Sequence, residues 1–478
     1  MKKLLLIAAV AVASIFGAQA QETEVNQYGQ EVKSLPVEAT IQDGIMVFQN
    51  KDAGYKMWFD VRIQADAAAF FGYDKDEYSI GNGMSLRRTR FAVKAQLDDN
   101  WYGEIDTDWT SGTPEIKDAY LKFNGVEDLE IKVGNFKENF SIQRNTTSRY
   151  LQFMERPMIT SLAPSRHLGI NFTYSKPLYW ISAGITGPEL KTFEEQTAFE
   201  DANKDWQRSE GLAYTAKAVL RPLHNMEDGS LHIGFAYSYR NPKLTSYEFD
   251  TYEVENEDGE KEEVDIAYPI ARFDSRNSTN INRVKYLDSK KLQGVDHEDM
   301  YTIELAGHYK ALRYEAAYIS KTAYLKQSLA AEYGDPEFWG KKLFKKMEEV
   351  PESINLTGHG WYVQAGYLLF GGNQNYDEGG AKYTRVNRGQ KCGDLELCLR
   401  YEECDFNFEK AAIADKYRGG FARAYAVGLN YYPSQNVKLI LNYQYNDNDE
   451  FADAGGDIDV PETGLDYSMI AMRFEVAF

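Results

Sequence analysis

Polar and apolar residues alternate one by one along most of this chain, and that period of two constrains the fold more than any other feature. From Lys56 to Asp66 one face reads Lys56, Trp58, Asp60, Arg62, Gln64, Asp66 and the other Met57, Phe59, Val61, Ile63, Ala65. Such alternation places one wet and one apolar face on a β-strand. The next segment sets Arg88, Arg90, Lys94 and Gln96 against Thr89, Phe91, Val93, Ala95 and Leu97, before a turn at Asp98-Asp99-Asn100. Similar segments follow at 101–109, 116–123, 128–136, 167–175, 178–187, 211–221, 230–240, 300–310, 312–322, 361–370, 394–403, 421–431, 437–446 and 466–478, which predicts sixteen strands. Past the first twenty residues no apolar run approaches the roughly 18 residues of a membrane helix, so a membrane crossing by this chain uses strands.

The connections carry the argument from strands to a closed barrel. Links after the second, fourth, sixth, eighth, tenth and fourteenth segments are short, whereas most links after odd-numbered segments are long: 67–85, 137–166, 188–210, 241–299, 323–360, 404–420 and 447–465. Short turns on one side and long loops on the other are the plan of an outer-membrane barrel, for which an even strand number is also required. Two links fit this plan poorly, since 371–393 is long on the turn side and 110–115 short on the loop side. The last segment aligns Ile470, Met472, Phe474, Val476 and Phe478 on one face and closes on an aromatic carboxyl terminus. Tyr 34, Phe 25 and Trp 7 suit the interfacial girdles of such a barrel, because tyrosine and tryptophan have one apolar and one wet end.

Energetics orient the faces. Slipping 86–97 by one residue would put Arg88, Arg90 and Lys94 into lipid at about 2–4 kcal/mol each near the midplane, so the basic face lines the lumen. Arg87 then has lipid-facing parity at the loop end of its strand, where it would snorkel or meet another subunit. The first twenty residues read as a secretory signal: Lys2 and Lys3, an apolar stretch from Leu4 to Ala18, and the small-x-small site Ala18-Gln19-Ala20. Residues 21–43 are polar and featureless and read as a flexible periplasmic lead-in to a barrel over 44–478. Cys392, Cys398 and Cys404 are too few to staple the chain. On an extended strand Cys392 and Cys398 stand about 20 Å apart, beyond disulfide reach.

With 53 basic and 73 acidic side chains the net charge is −20, which argues against a nucleic-acid-binding surface. Lumen-parity positions are nonetheless slightly basic, so the acidic surplus falls in loops, notably 253–265 and 447–462. Residues 336–349, with Lys341, Lys342, Lys345 and Lys346 beside Phe338, Trp339 and Leu343, read as a short amphipathic helix capping a loop or lying on its surface.

Several segments together resemble the phosphate-selective porin O and P family. They are Val133-Gly134-Asn135-Phe136-Lys137-Glu138-Asn139-Phe140-Ser141, Thr146-Thr147-Ser148-Arg149, Phe153-Met154-Glu155-Arg156 and Arg166-His167-Leu168-Gly169-Ile170, with further matches at Leu86-Arg87-Arg88, Ile116-Lys117-Asp118-Ala119-Tyr120 and Gly428-Leu429-Asn430-Tyr431-Tyr432-Pro433. The resemblance implies an all-β, sixteen-stranded transmembrane barrel in the bacterial outer membrane, a homotrimer in contact with outer-membrane lipid, with loop 137–166 folded into the lumen and basic residues along a path for small anions such as phosphate. The chain departs from the family at Lys137-Glu138-Asn139-Phe140, where a proline is more usual, and in its acidic excess.

On this reading the constriction combines Arg62, Arg87, Arg88 and Arg90 on the wall with Arg149, Arg156 and Arg166 from the loop. Arginine suits an anion path because its planar fork holds a phosphate edge and never loses its charge. The bland alternative is that lumen charges merely pair with one another, leaving a general diffusion porin without anion preference. A surface-binding or adhesive barrel using loop 241–299 is another reading. No G-x-S-x-G, H-E-x-x-H or phosphate-binding glycine loop is present, so no enzyme, cofactor or metal is expected, apart from the narrow alternative of a lipase with lipid-facing Ser and His.

Overall fold

The computed structural model describes residues 24–32, 35–42, 44–187, 189–190, 211–241, 247–255, 261–276, 278–333, 338–344, 350–408 and 413–478. The signal sequence expected at 1–20, most of the long link 188–210 and parts of the 336–349 segment lie outside them. Sixteen long antiparallel strands close into one barrel. In chain order they are β1 Tyr55–Phe71, β2 Gly83–Gln96, β3 Trp101–Asp108, β4 Glu115–Val126, β5 Leu129–Lys137, β6 Arg166–Ser175, β7 Tyr179–Thr186 and β8 Ala213–Leu220. The second half comprises β9 Gly229–Arg240, β10 Val295–Tyr309, β11 Leu312–Lys326, β12 Ser353–Leu368, β13 Asp394–Asp405, β14 Phe421–Tyr432, β15 Val437–Asn448 and β16 Tyr467–Ala477. Every segment expected from the period of two is a barrel strand.

The barrel is apolar outside and polar inside. On β8, Thr215 and Lys217 are buried while Tyr214, Ala216, Ala218 and Leu220 are exposed. Lys217 is 2% exposed and Phe235 51%, the reverse of a protein surrounded by water. Closure runs from Ser468↔Phe71 to Ala477↔Arg62, and the terminal residue completes it: Val61 N–H donates to the Phe478 carbonyl at 2.6 Å and Phe478 N–H to the Val61 carbonyl at 3.0 Å. Below that point β1 would present a bare edge, but a hairpin of Glu38–Gln42 and Ile45–Asn50 pairs with it from Val47↔Trp58 to Asn50↔Tyr55. The segment expected to be a featureless lead-in therefore contributes a strand, and Glu24–Val25 pairs with Glu31–Val32 before it.

Strand β2 contains an irregularity that corrects one expectation. Gln64 pairs with Arg88 but Ala65 pairs with Leu86, so Arg87 is an extra, bulged residue. The bulge turns its side chain away from lipid and into the lumen, where it meets Glu155.

Three pieces of chain fill the barrel. Residues 138–165, between β5 and β6, cross the lumen as short helical turns, including Ile142–Asn145 and Met158–Leu162. The ill-fitting link 371–393 enters from the turn side as a small hairpin in which Tyr376↔Tyr383 and Asp377↔Lys382 pair. Its neck is narrow: a Cβ on Gly389 would fall 2.5 Å from the Gly371 carbonyl carbon and the Gly372 nitrogen, so no larger residue fits. Finally, the loops after β9, β11, β13 and β15 build an apolar cap around Phe273, Phe338, Trp339, Phe406 and Tyr417. Phe338–Leu343 forms a short helix with its aromatic side chains buried there, so this segment caps a loop.

Candidate anion path

Loop 138–165 is held by the far wall through its backbone. Arg313 donates to the Tyr150 carbonyl at 2.8 Å, Lys438 to Leu151, Asn430 to Gln152 at 2.8 Å, Arg473 to Met154 and Arg400 to Glu155 at 2.9 Å. Wall acids take its N–H groups: Ile142 donates to Glu304 at 2.6 Å and Met158 to Glu402. Gln143 and Gln152 add side-chain bonds to Glu315 and Glu396. Each of these bonds occupies a donor that a passing ion would otherwise take. Lys217 is likewise tied to Glu304 at 2.6 Å, Arg240 to Glu138 at 2.9 Å and Arg473 to Asp66 at 2.7 Å. These lumen-parity bases on β8–β16 thus fasten the loop or pair with buried carboxylates.

The link 371–393 occupies the neighbouring part of the lumen. Tyr383 OH donates to the Tyr314 carbonyl at 2.6 Å and accepts from Gly307 N–H at 2.8 Å, while the Arg313 guanidinium lies 3.6 Å from its ring centroid. Trp180 Nε1 donates to the Gly379 carbonyl at 2.9 Å, and Tyr376 OH meets His232 Nδ1 at 2.7 Å. A small cavity of about 40 Å³ remains beside Arg313, Glu396, Lys438 and Glu475, and larger spaces open toward β1–β5.

There, two chambers flank the loop. The outer one, about 350 Å³, is lined by Arg87, Arg88, Arg144, Arg156, Arg276 and Lys285, with Glu155 and Asp274. The inner one, about 600 Å³, has Arg62, Arg90, Lys94, Lys132, Lys137, Arg149, Arg166 and Lys382 in its lining against five carboxylates. The seven expected arginines all line one or other chamber, and they divide by partner. Four face carboxylates: Arg87 with Glu155 at 2.6 and 3.0 Å, Arg90 with Asp106 and Asp108 at 3.2 Å, Arg149 with Asp60, and Arg166 with Asp118 at 3.0 and 2.7 Å. Among the described residues the other three hydrogen-bond only to neutral acceptors. Arg88 donates to Gln64 Oε1 at 2.7 Å, Arg62 to Ser148 Oγ at 2.8 Å, and Arg156 to the Gln143 and Thr146 carbonyls. A guanidinium so placed keeps its charge available to an anion.

Burial and crowding act on the loop residues. Burial first, then the positive field of Arg144, lowers the Arg156 pKa to about 9, and burial with Arg166 lowers that of Arg144 to about 10. Among the described residues Arg62, Arg144 and Arg149 at the chambers have a buried Nε without a partner, as do Arg313 and Arg400 on the opposite wall. An anion entering here relieves the repulsion. Burial alone would raise the Glu155 carboxyl, but Arg87, then Arg473 and Arg88, outweigh it and hold it well below the usual carboxylate range.

Sequence reading missed Arg144, Lys137, Arg276, Lys285 and Lys382. Parity says nothing of loop residues, although Lys137 sits inside a segment that carries the family resemblance, Arg144 between two such segments and Lys382 in a link flagged by its length. Carboxylates of Glu104, Asp106 and Asp118 approach within 4.8 Å of one another, as a metal site would require. Each already faces a base, Lys94, Arg90 and Arg166 respectively, so they fit ion pairing better than a metal.

A family model for phosphate-selective porin O and P matches residues 59–478. Porin O of Pseudomonas aeruginosa is 22% identical over 420 residues, covering 83% of this chain and 84% of that protein. Among solved structures, OmpT of Vibrio cholerae aligns over 89% of this chain and 100% of its own with 11% identity and a TM-score of 0.46. The anion-selective porin from Comamonas acidovorans gives 89%, 100%, 10% and 0.46.

Proposed function

This chain belongs to the phosphate-selective porin O and P family, an outer-membrane channel and not an enzyme, and on that footing we propose that it passes small anions such as phosphate through an arginine constriction. The supporting observation is the trio Arg62, Arg88 and Arg156, whose guanidiniums hold neutral acceptors while Arg88 and Arg156 line the outer chamber and Arg62 the inner one. An anion exchanges water for N–H donors of Arg88 and Arg156 in the outer chamber, then for those of Arg62, Lys137 and Arg166 in the inner one. Carboxylates beside Arg87, Arg90, Arg149 and Arg166 keep the summed field moderate, and a conducting site must release its ion as readily as it takes it. Assembly as a homotrimer and export by residues 1–20 belong to the same proposal, resting on the family resemblance and the leader pattern.

The test is reversal potential and phosphate block in planar bilayers for the parent, Arg88→Ala and Arg156→Ala. One charge-assisted contact contributes about 1.5–3 kcal/mol, so each substitution weakens block about ten- to a hundredfold. A cation-selective parent, or block indifferent to both substitutions, leaves a general porin.

A further inference from the structure

The inner chamber carries a feature that the arginines do not use. Trp58 of β1 and Tyr120 of β4 line it, and Tyr102 of β3 joins them, its ring centroid 6.0 Å from that of Trp58 and 6.2 Å from that of Tyr120. The three rings are half-buried and stand on the lumen face. Ammonium groups accompany them: Lys56 Nζ is 5.5 Å from the Trp58 ring, Lys122 4.9 Å from Tyr102 and Lys132 5.3 Å from Tyr120. The hydroxyls of Tyr102 and Tyr120 both donate to Glu104 Oε2, at 2.8 and 2.7 Å, which restrains the row.

Aromatic residues of a barrel have a natural place outside, at the lipid interfaces, where one end is apolar and the other wet. Rings on the lumen wall of a water-filled chamber gain nothing from lipid. They are recovered as binding surface when a solute with an apolar face covers them. At about 600 Å³ the chamber falls in the range of small-molecule sites and exceeds what one tetrahedral oxyanion fills. Lys94 and Arg149 border the same space as Trp58, so a ring and a phosphate group can be met together.

We propose that the inner chamber is a subsite for phosphate monoesters of ring compounds, with the phosphate on the basic residues below the constriction and the ring along Trp58 and Tyr102. The inference rests on the proposed anion path, because the phosphate must first be admitted. Sugar phosphates and nucleoside monophosphates share this chemistry, through a pyranose C–H face and a planar base respectively.

The experiment compares block of single-channel current by orthophosphate, glucose 6-phosphate and adenosine 5′-monophosphate at pH 8 for the parent, Trp58→Leu and Trp58→Phe. At least one ester should block the parent about five- to a hundredfold more tightly than orthophosphate, as expected for one added stacking contact. Trp58→Leu should bring that ester close to the orthophosphate value while orthophosphate block changes less than about twofold, and Trp58→Phe should keep most of the advantage. Tyr102→Leu tests the same row should Trp58→Leu assemble poorly. Whichever ester holds the advantage names the source. Esters that block no more tightly than orthophosphate in the parent, or an advantage that survives both leucine variants, overturn the subsite. Loss of orthophosphate block in a parent still blocked by an ester would overturn the simple anion path and leave the subsite standing.

Discussion

The wall along β1–β5 and the wall along β10–β16 are built from the same side chains, and they do different things. On β10–β16, Arg313, Arg400, Lys438 and Arg473 end on backbone carbonyls of loop 138–165, and Glu304 and Glu402 on its N–H groups. On β1–β5, Arg62 and Arg88 end on a serine and a glutamine beside open chambers. A lumen charge is thus structural or available according to what already occupies its hydrogen bonds, and neither its type nor its parity distinguishes the two.

The hardest blow to this division would come from Arg473→Ala. Arg473 is bonded to Asp66 through Nε and Nη2 at 2.7 Å, and to Glu155 at 2.9 Å. Its loss strands buried carboxylates and should cost about 3–5 kcal/mol, read as a smaller folded, heat-modifiable fraction. Arg88→Ala should leave that fraction unchanged. Equal losses in both variants would erase the distinction between the walls.

Tyr383→Phe probes the hairpin that keeps the open path on one side. Removing the hydroxyl leaves Gly307 N–H and the Tyr314 carbonyl without this partner, a cost of about 1–3 kcal/mol. The hairpin should leave the lumen more often, so single-channel recordings should show excursions to higher conductance. A trace as quiet as the parent's would mean that the remaining contacts suffice.

How far the two walls were legible follows from what side-chain alternation can encode. All sixteen strands could be read, because each has lipid on one face and water or loop on the other. Arg87 was misassigned, because one bulged residue between Gln64↔Arg88 and Ala65↔Leu86 shifts its direction and leaves no mark in the alternation. The clamps on β10–β16 could be read only as lumen-facing bases, since their partners are carbonyls of Tyr150 to Glu155 and a carbonyl has no sequence signature. Lys382 and Arg144 escaped because they lie on chain that enters the lumen as loop.

Acid should spare the comparison over a wide range. Because Arg87 and Arg473 lower the Glu155 pKa from its ordinary 4.5, its contribution is fully present above that value and is lost only as pH falls through the lower folded-state value. Heat-modifiability should therefore hold level from pH 8 to about 5 as far as Glu155 decides it, with losses below about pH 4. Weakening that begins near pH 6 would point to another group. The smallest expected effect concerns salt. Acidic outer loops deplete anions at the mouth, and screening shortens to about 10 Å at 0.1 M, so anion preference should rise modestly with ionic strength before the constriction itself is screened. A preference that falls steadily from the lowest salt would place the controlling charges at the mouth.

The fastening of loop 138–165 also sets an order of events. Its clamps lie far ahead in the chain, with Ile142 separated from Glu304 by 162 residues and Met154 from Arg473 by 319. Contacts of such separation form late, since the intervening chain must first be organised. The filter is therefore finished only when the last strand is in place, and a barrel arrested one strand short lacks the Arg473 clamp. In a cell, such an unfinished molecule would be a leak across the envelope, which makes completion of the final seam at Phe478 the step that turns a hole into a sieve.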